Sequence, residues 1–212
     1  MAAHYYGVPV IEMGEVLRVK VKDDGGDWLK YTTDCVHPDD DGYLVYTECV
    51  KNHIERMLQS AKEISAPLKK QLPERFFDSK NTLESAHIMD CYQAELGDGW
   101  SKVDKDLCHR YPRYIEATEP GAELSFKFMG KRIGLYFMIA SDSGDVEASI
   151  DGGEIQTVRT WDEYALSFDR VGYKILDCNL EYGEHILKLK VSSQKAENSK
   201  DTAIRIGAFL VS

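Results

Sequence analysis

The spacing of apolar residues changes near residue 83, and this change divides the sequence into two unlike parts. In the first part, residues 8–11 (VPVI) form a short apolar run, in which Pro9 is typical of a strand start. Residues 15–22 are mixed and compatible with a helix, which the loop residues 23–26 (DDGG) would end. The first 65 residues therefore predict one strand followed by helices.

The strongest helix signal in the sequence follows Pro38. Asp39 is a natural N-cap, and Asp40 and Asp41 place negative charge at the positive end of the helix dipole. Apolar residues then recur at helical spacing and predict a stripe that faces a core, formed by Tyr43, Tyr46, Val50, Ile54, Met57 and Leu58.

One buried strand beneath a helix would leave unpaired backbone groups along both of its edges. Nothing else in residues 1–65 supplies the neighbouring strands. We therefore expect these residues to be the C-terminal part of an α/β domain, completed by an upstream part of the same protein or, as the less favoured alternative, by a second chain. Residues 66–82 contain Pro67 and Pro73 among charged residues and predict a linker.

From residue 83 onward the apolar pattern has a period of two. The clearest strand signals are residues 124–128, 133–139, 146–150, 176–180, 187–191 and 204–210. The turn Asp151-Gly152-Gly153 carries glycines, which adopt the positive φ of hairpin turns without strain. Short alternating strands separated by turns predict an antiparallel β-sandwich over residues 83–212.

Charge and composition argue against several classes of function. The chain has 26 Lys plus Arg against 36 Asp plus Glu, a formal net charge of −10. Because an acidic chain without a basic run is repelled by phosphate, we expect no nucleic-acid and no membrane partner.

No stretch approaches the ~20 apolar residues of a membrane span, and residues 1–6 do not resemble a signal peptide. Five cysteines without a CxxC pair favour free thiols and a reducing compartment, but they do not fix the localisation.

The densest group of chemically active side chains lies in residues 34–42 (DCVHPDDDG). Asp34 precedes His37 by three residues in a loop closed by proline, so its carboxylate can fold onto one imidazole nitrogen. The other nitrogen would then be free to take a proton from a hydroxyl nucleophile, while the carboxylate stabilises the imidazolium. The alternative is a capping loop in which His37 merely packs beside the helix.

The same segment allows two metal hypotheses. An EF-hand pattern would use His37, Asp39, Asp41, Gly42 and Glu48 as positions one, three, five, six and twelve. The first ligand should be aspartate, however, and no clear helix precedes the loop. A zinc site on Asp34 and His37 lacks a third ligand at a recognisable spacing, because His53 lies on the predicted helix. We expect no metal and no cofactor.

Residues 34–38 (DCVHP) are followed by Gly42 and an amphipathic helix, and they are preceded by residues 4–11 (HYYGVPVI). Together these features resemble the last core strand and the last conserved block of the SGNH or GDSL-type ester hydrolases. In that family the block supplies the acid and the base of a Ser-His-Asp triad. The resemblance implies a flavodoxin-like α/β fold for residues 1–65, with Asp34 as the orienting carboxylate and His37 as the general base.

Strand-and-turn motifs of the second part resemble the β-sandwich that follows the hydrolase domain in some bacterial members of this family. They are residues 114–121, 128–130, 141–144, 149–153 and 183–185. The expected architecture is therefore an α/β fragment (1–65), a linker (66–82) and an antiparallel jelly-roll sandwich (83–212).

The sequence departs from the family in one important respect. The Gly-Asp-Ser nucleophile block and the Gly and Asn of the oxyanion hole are absent, and residues 141–144 (SDSG) predict a turn between two strands. The resemblance implies a serine ester hydrolase that removes acetyl groups from carbohydrates or cleaves other small esters. We expect the 212 residues alone to be inactive, because no prearranged group meets the charge of the transition state.

The alternative function is a non-catalytic carbohydrate-binding or interaction module. Its candidate residues are the aromatics Trp161, Tyr164, Phe168 and Tyr173. Exposed and roughly coplanar rings would favour this function, whereas aromatic residues of a sandwich usually belong to its core.

Overall fold

The computed structural model describes residues 2–61, 73–74, 77–78, 85–106 and 108–212. The chain divides into two compact units, Met1–Thr82 and Leu83–Ser212, which we call the helical unit and the sandwich unit. The predicted linker, residues 66–82, lies largely outside the described residues. None of the described helices is long and apolar enough to cross a membrane.

The helical unit contains α1 (Ala2–Tyr5), α2 (Met13–Asp23) and α3 (Asp40–Ser60), with a 3₁₀ turn at Trp28–Lys30. The predicted start of α3 is confirmed, because the Asp39 side chain accepts a hydrogen bond from the Gly42 amide at 2.9 Å. Helix α2 contacts α3, and its residues Leu17 and Val21 are buried.

The flavodoxin-like α/β architecture expected for residues 1–65 is wrong. The part of the helical unit that the structure describes contains no strand, and residues 8–11 form no regular secondary structure. Val8 and Val10 are exposed, and Pro9 has no amide hydrogen to donate to a ladder. A four-residue apolar run can form a strand only beside another strand, and the described residues around it are helical or irregular.

The core stripe predicted on α3 is also only partly buried. Tyr46 and Val50 are half-buried, but Tyr43, Ile54 and Leu58 are exposed. The buried residues of α3 are Gly42 and Cys49, and neither belongs to the predicted stripe. The covered face of α3 is therefore rotated away from the face that helical spacing predicted.

The predicted antiparallel β-sandwich is confirmed. Its strands are β1 (His87–Asp90), β2 (Glu95–Leu96), β3 (Trp100–Val103), β4 (Tyr114–Ala117), β5 (Glu123–Gly130), β6 (Ile133–Ile139), β7 (Asp145–Ile150), β8 (Gln156–Arg159), β9 (Arg170–Asp177), β10 (Gly183–Val191) and β11 (Ile204–Val211). One sheet has the order β3-β4-β11-β6-β9, with β1 also paired to β11, and the other has the order β2-β5-β10-β7-β8. The described residues of this unit also form two 3₁₀ turns, Cys91–Gln93 and Glu163–Leu166.

The core of the sandwich lies between the two sheets. Every second side chain of a strand points toward the facing sheet, which explains why the apolar residues have a period of two. On β5, Leu124, Phe126 and Phe128 are buried while the residues between them face outward. The ring of Phe126 stacks on that of Phe209 from the opposite sheet, with centroids 3.9 Å apart. This contact joins β5 to β11 across the core.

Candidate functional site

The loop before α3 is a short hairpin. The Asp39 amide donates to the Tyr31 carbonyl at 3.1 Å, and the Thr33 amide donates to the His37 carbonyl at 2.9 Å. Thr32 and Pro38 form an antiparallel bridge between these two hydrogen bonds. Residues 33–37 are therefore the tip of a hairpin whose base is tied to the first turn of α3.

This hairpin brings Asp34 and His37 together. Asp34 Oδ2 lies 2.7 Å from His37 Nδ1, and Oδ1 accepts the amides of Val36 at 3.0 Å and His37 at 2.8 Å. The His37 amide, then the imidazole and the Val36 amide favour the charged carboxylate and lower the pKa of Asp34 to about 2. Asp34 is therefore ionised throughout the range in which an esterase would be assayed.

The carboxylate also determines which nitrogen of His37 is available. Because a carboxylate only accepts hydrogen bonds, Nδ1 carries the proton of the neutral imidazole and Nε2 keeps its lone pair. The His37 side chain is 76% exposed, and no group of the described residues lies within hydrogen-bonding distance of Nε2. Nε2 is thus free to accept a proton from a reactant, as a general base must be.

Ser141 and Ser143, which belong to the segment most similar to a nucleophile block, lie in a turn, as predicted. Residues 141–144 connect β6 to β7, and Ser143 is only 1% exposed. Its hydroxyl donates to the Met138 carbonyl at 3.3 Å and accepts the Ala140 amide at 3.0 Å. Ser143 is therefore a turn residue with its hydrogen bonds made.

A second Asp–His pair, in the sandwich unit, has a different geometry. His185 Nδ1 lies 2.6 Å from Asp151 Oδ2, and Nε2 lies 2.8 Å from the Glu181 carbonyl oxygen. Both partners are acceptors, so only the imidazolium can donate to both of them, and these bonds raise the pKa of His185. Asp151 has a φ of +52° in the predicted hairpin turn and also accepts the Ile186 amide. This pair ties the turn to β10 and leaves no nitrogen free for catalysis.

The raised pKa of His185 predicts a pH-dependent stability. The stabilisation is complete below the unfolded-state pKa of ~6.5 and is lost as the pH rises through the higher folded-state pKa. We expect a contribution of no more than about 1 kcal/mol, because Asp151 is half exposed and solvent screens the pair. Urea unfolding should therefore show a larger stability difference between the wild type and His185→Gln at about pH 5 than at about pH 9. A difference independent of pH would contradict the double hydrogen bond.

A third pair repeats the D-x-x-H spacing without the same contact. His109 Nδ1 lies 3.5 Å from Asp106 Oδ1, and the His109 side chain is fully exposed. Identical spacing thus gives a weaker pair where the backbone does not form the Asp34 hairpin. The contact at His37 depends on local backbone geometry as well as on sequence spacing.

The described residues contain no group of three or more His, Cys, Asp or Glu side chains that could hold a metal ion. The carboxylates of the EF-hand pattern do not converge with His37. Asp39 instead caps α3, and His53 Nδ1 lies 2.8 Å from the Cys49 carbonyl oxygen. The geometry of this part of the chain therefore gives neither metal hypothesis any support.

The four candidate aromatics do not form a flat platform. Trp161 is buried in a small cluster with Ala165 and Ala196, whereas Tyr164, Phe168 and Tyr173 are exposed. The rings of Tyr164 and Phe168 are 6.5 Å apart and inclined by 45°. The coplanar arrangement that would favour a sugar-binding module is therefore not observed in this group.

One polar network had no signal in the sequence. Arg205 on β11 donates to both carboxylate oxygens of Asp142 at 2.8 Å and also to Glu116 on β4. These residues line an open polar cleft of about 420 Å³ on the sandwich unit, together with Tyr114 and Lys200. The partners are 63 and 89 residues apart along the chain, so no local motif could have predicted their contact.

Comparison with known proteins shows the fold. No protein-family model and no curated protein sequence matches the chain. A solved two-domain esterase (CEX) active on acetylated mannans aligns with 99% of this chain at a TM-score of 0.79 and 13% identity, over 57% of its own length. The same esterase co-crystallised with mannopentaose aligns with 99% of this chain and 56% of its own, at a TM-score of 0.75 and 14% identity. The chain thus spans a little more than half of that protein.

A weaker likeness, with a TM-score of 0.43 and 13% identity, is to a family two carbohydrate esterase from Cellvibrio japonicus. It covers 59% of this chain and 33% of that one.

Proposed function

We propose that this chain carries the acid–base pair of a serine carbohydrate esterase that removes acetyl groups from a polysaccharide such as an acetylated mannan. The observation that carries the proposal is the 2.7 Å contact between Asp34 Oδ2 and His37 Nδ1, with no partner for Nε2 among the described residues. The resemblance of residues 34–42 to the last block of SGNH hydrolases supports the roles of the two residues. The fold similarity to an esterase active on acetylated mannans supports the substrate class.

In this proposal His37 works with a serine that is not part of the 212 residues. Nε2 takes the proton of the serine hydroxyl as its oxygen attacks the ester carbonyl, and the carboxylate of Asp34 balances the imidazolium. The imidazolium then returns the proton to the leaving sugar alkoxide, which releases the sugar hydroxyl and leaves an acetyl-enzyme. Water attacks the acetyl-enzyme with His37 again as the base, and acetate leaves as the serine regains its proton.

The chain's own contribution is therefore to orient His37 and to carry one proton in each of the two half-reactions. We call the chain together with the polypeptide that supplies the serine the complete esterase, whether these are one chain or two. Purification from the native host through a tag on this chain would yield it.

A serine-directed fluorophosphonate probe tests where the nucleophile lies. We expect the probe to label the complete esterase at a serine outside these 212 residues, because Ser143 is buried and bonded and His37 Nε2 has no hydroxyl partner among the described residues. The 212-residue chain alone should remain unlabelled. Labelling should fall sharply in His37→Ala and stay unchanged in the control His109→Ala. Peptide mapping that places the label on Ser141, Ser143 or another serine of this chain would refute the proposal.

A further inference from the structure

Cys35 follows Asp34 and precedes the two amides that Asp34 binds, and its backbone is strained. Cys35 has a φ of +66°, in the left-handed region that glycine adopts freely and that residues with a β-carbon rarely adopt. The ends of this loop are fixed, because the Thr33 amide donates to the His37 carbonyl. A change of the Cys35 φ to an ordinary negative value therefore needs compensating rotations of the peptide groups on both sides of Cys35. These rotations would move the Cys35 amide and turn the following amides of Val36 and His37 away from Asp34 Oδ1.

A buried hydroxyl opposes these rotations. Thr32 Oγ1 accepts the Cys35 amide at 3.0 Å and donates to the Trp28 carbonyl at 2.8 Å. Thr32 is only 3% exposed, so water does not compete efficiently for either bond. Its backbone is fixed as well, because Thr32 pairs with Pro38 across the hairpin.

We infer that Thr32 is a positioning residue for the Asp34–His37 pair, because its hydroxyl holds the Cys35 amide in the left-handed turn and so aims the loop amides at Asp34. The catalytic consequence rests on the proposed function, but the geometry is a property of the loop alone. Thr32 itself touches no reactant.

The direct test is the imidazole of His37 in the 212-residue chain. In the wild type, ¹⁵N spectra of the ring should show protonated Nδ1 and unprotonated Nε2. In Thr32→Val, which keeps the shape and removes the hydroxyl, we expect a mixture of the two tautomers. We also expect the pKa of Asp34 to rise from about 2 toward its ordinary value, since the His37 and Val36 amides are major causes of its lowering.

Two substitutions at the exposed Cys35 make the test independent of any packing defect at Thr32. Glycine accepts the left-handed conformation, so Cys35→Gly should restore the single tautomer in the Thr32→Val background. A β-branched side chain disfavours that conformation, so Cys35→Val should reproduce the loss with Thr32 intact. Thr32→Ser keeps the hydroxyl and should behave as the wild type.

In the complete esterase, we expect Thr32→Val to lower kcat about 10-fold with little change in KM, because a misaligned base affects the reaction and not substrate binding. Thr47→Val is the matched control, since within the described residues the exposed Thr47 hydroxyl of α3 bonds the Tyr43 carbonyl alone. Wild-type spectra and wild-type kcat in Thr32→Val would overturn the inference, as would failure of Cys35→Gly to rescue.

Two results distinguish a failure of the proposed function from a failure of the positioning role of Thr32. If His37→Ala leaves the activity of the complete esterase unchanged while Thr32→Val mixes the tautomers, the positioning role stands and the catalytic role of the pair does not. If His37→Ala abolishes activity while Thr32→Val leaves tautomer and kcat unchanged, the proposed function stands and the inference is overturned.

Discussion

Replacing His37 by alanine should lower the kcat of the complete esterase on acetylated mannan by about 10²–10⁴-fold, the usual contribution of a general base. The substitution removes the free Nε2, and the described residues hold no other imidazole in an equivalent position. The His37 side chain is mostly exposed, so the fold should survive the change. KM should change little, because a proton acceptor acts mainly in the transition state. Acetate release at saturating substrate measures the effect.

The other Asp–His pairs supply the controls for this experiment. His109→Ala removes the second D-x-x-H histidine, and His185→Gln removes an imidazole whose two nitrogens are already bonded. Neither change should affect kcat. Asp34→Ala should cost less than His37→Ala, because the imidazole then loses its orientation but keeps its lone pair. Full activity of His37→Ala would remove the catalytic assignment.

Replacing Gly42 by alanine should destabilise the helical unit, although alanine is the better helix former by about 1 kcal/mol. A β-carbon at this position would lie 2.2 Å from the Tyr31 carbonyl oxygen and 3.0 Å from Pro38 Cβ. The oxygen is a backbone atom that also accepts the Asp39 amide, so it cannot move away without opening the hairpin. We expect a net loss of about 1–3 kcal/mol in the free energy of unfolding, as for other overpacked sites.

Gly14 on α2 is the matched control for Gly42. No atom lies within 4 Å of the position that its β-carbon would take. Gly14→Ala should therefore stabilise the chain by up to about 1 kcal/mol. Urea unfolding followed by helical circular dichroism compares the two variants. Equal stabilisation by both would show that the hairpin does not pack against the first turn of α3.

Local interactions account for what the sequence predicted well. The cap of α3 involves Asp39 and a residue three positions later, and the alternation on β5 reflects the two faces of one strand. Both patterns are complete within a few residues. The contact between Asp34 and His37 is of the same kind, because it joins residues three positions apart, and the structure has the geometry that the spacing suggested.

Long-range interactions account for what could not be predicted. Residues 8–11 have the composition of a strand, but whether such a segment forms one depends on a neighbour that no local pattern reveals. The Arg205 network and the His185–Asp151 pair join residues that are 34 or more positions apart. The clearest local contact that the sequence analysis missed is the one between the Thr32 hydroxyl and the Cys35 amide. Threonine hydroxyls commonly bond a backbone amide a few residues further along the chain, so the spacing could have indicated this contact.

The central place of β11 constrains how the sandwich unit is made in the cell. This strand comes after all the other described strands in the sequence, yet it pairs with β1, β4 and β6 and contributes Phe209 to the core. During synthesis on the ribosome, the earlier strands of that sheet have a gap between β4 and β6 until residues 204–211 have emerged. The sheet can therefore close only after translation has passed Val211, and a nascent chain stopped earlier would expose unpaired strand edges to chaperones or to other chains.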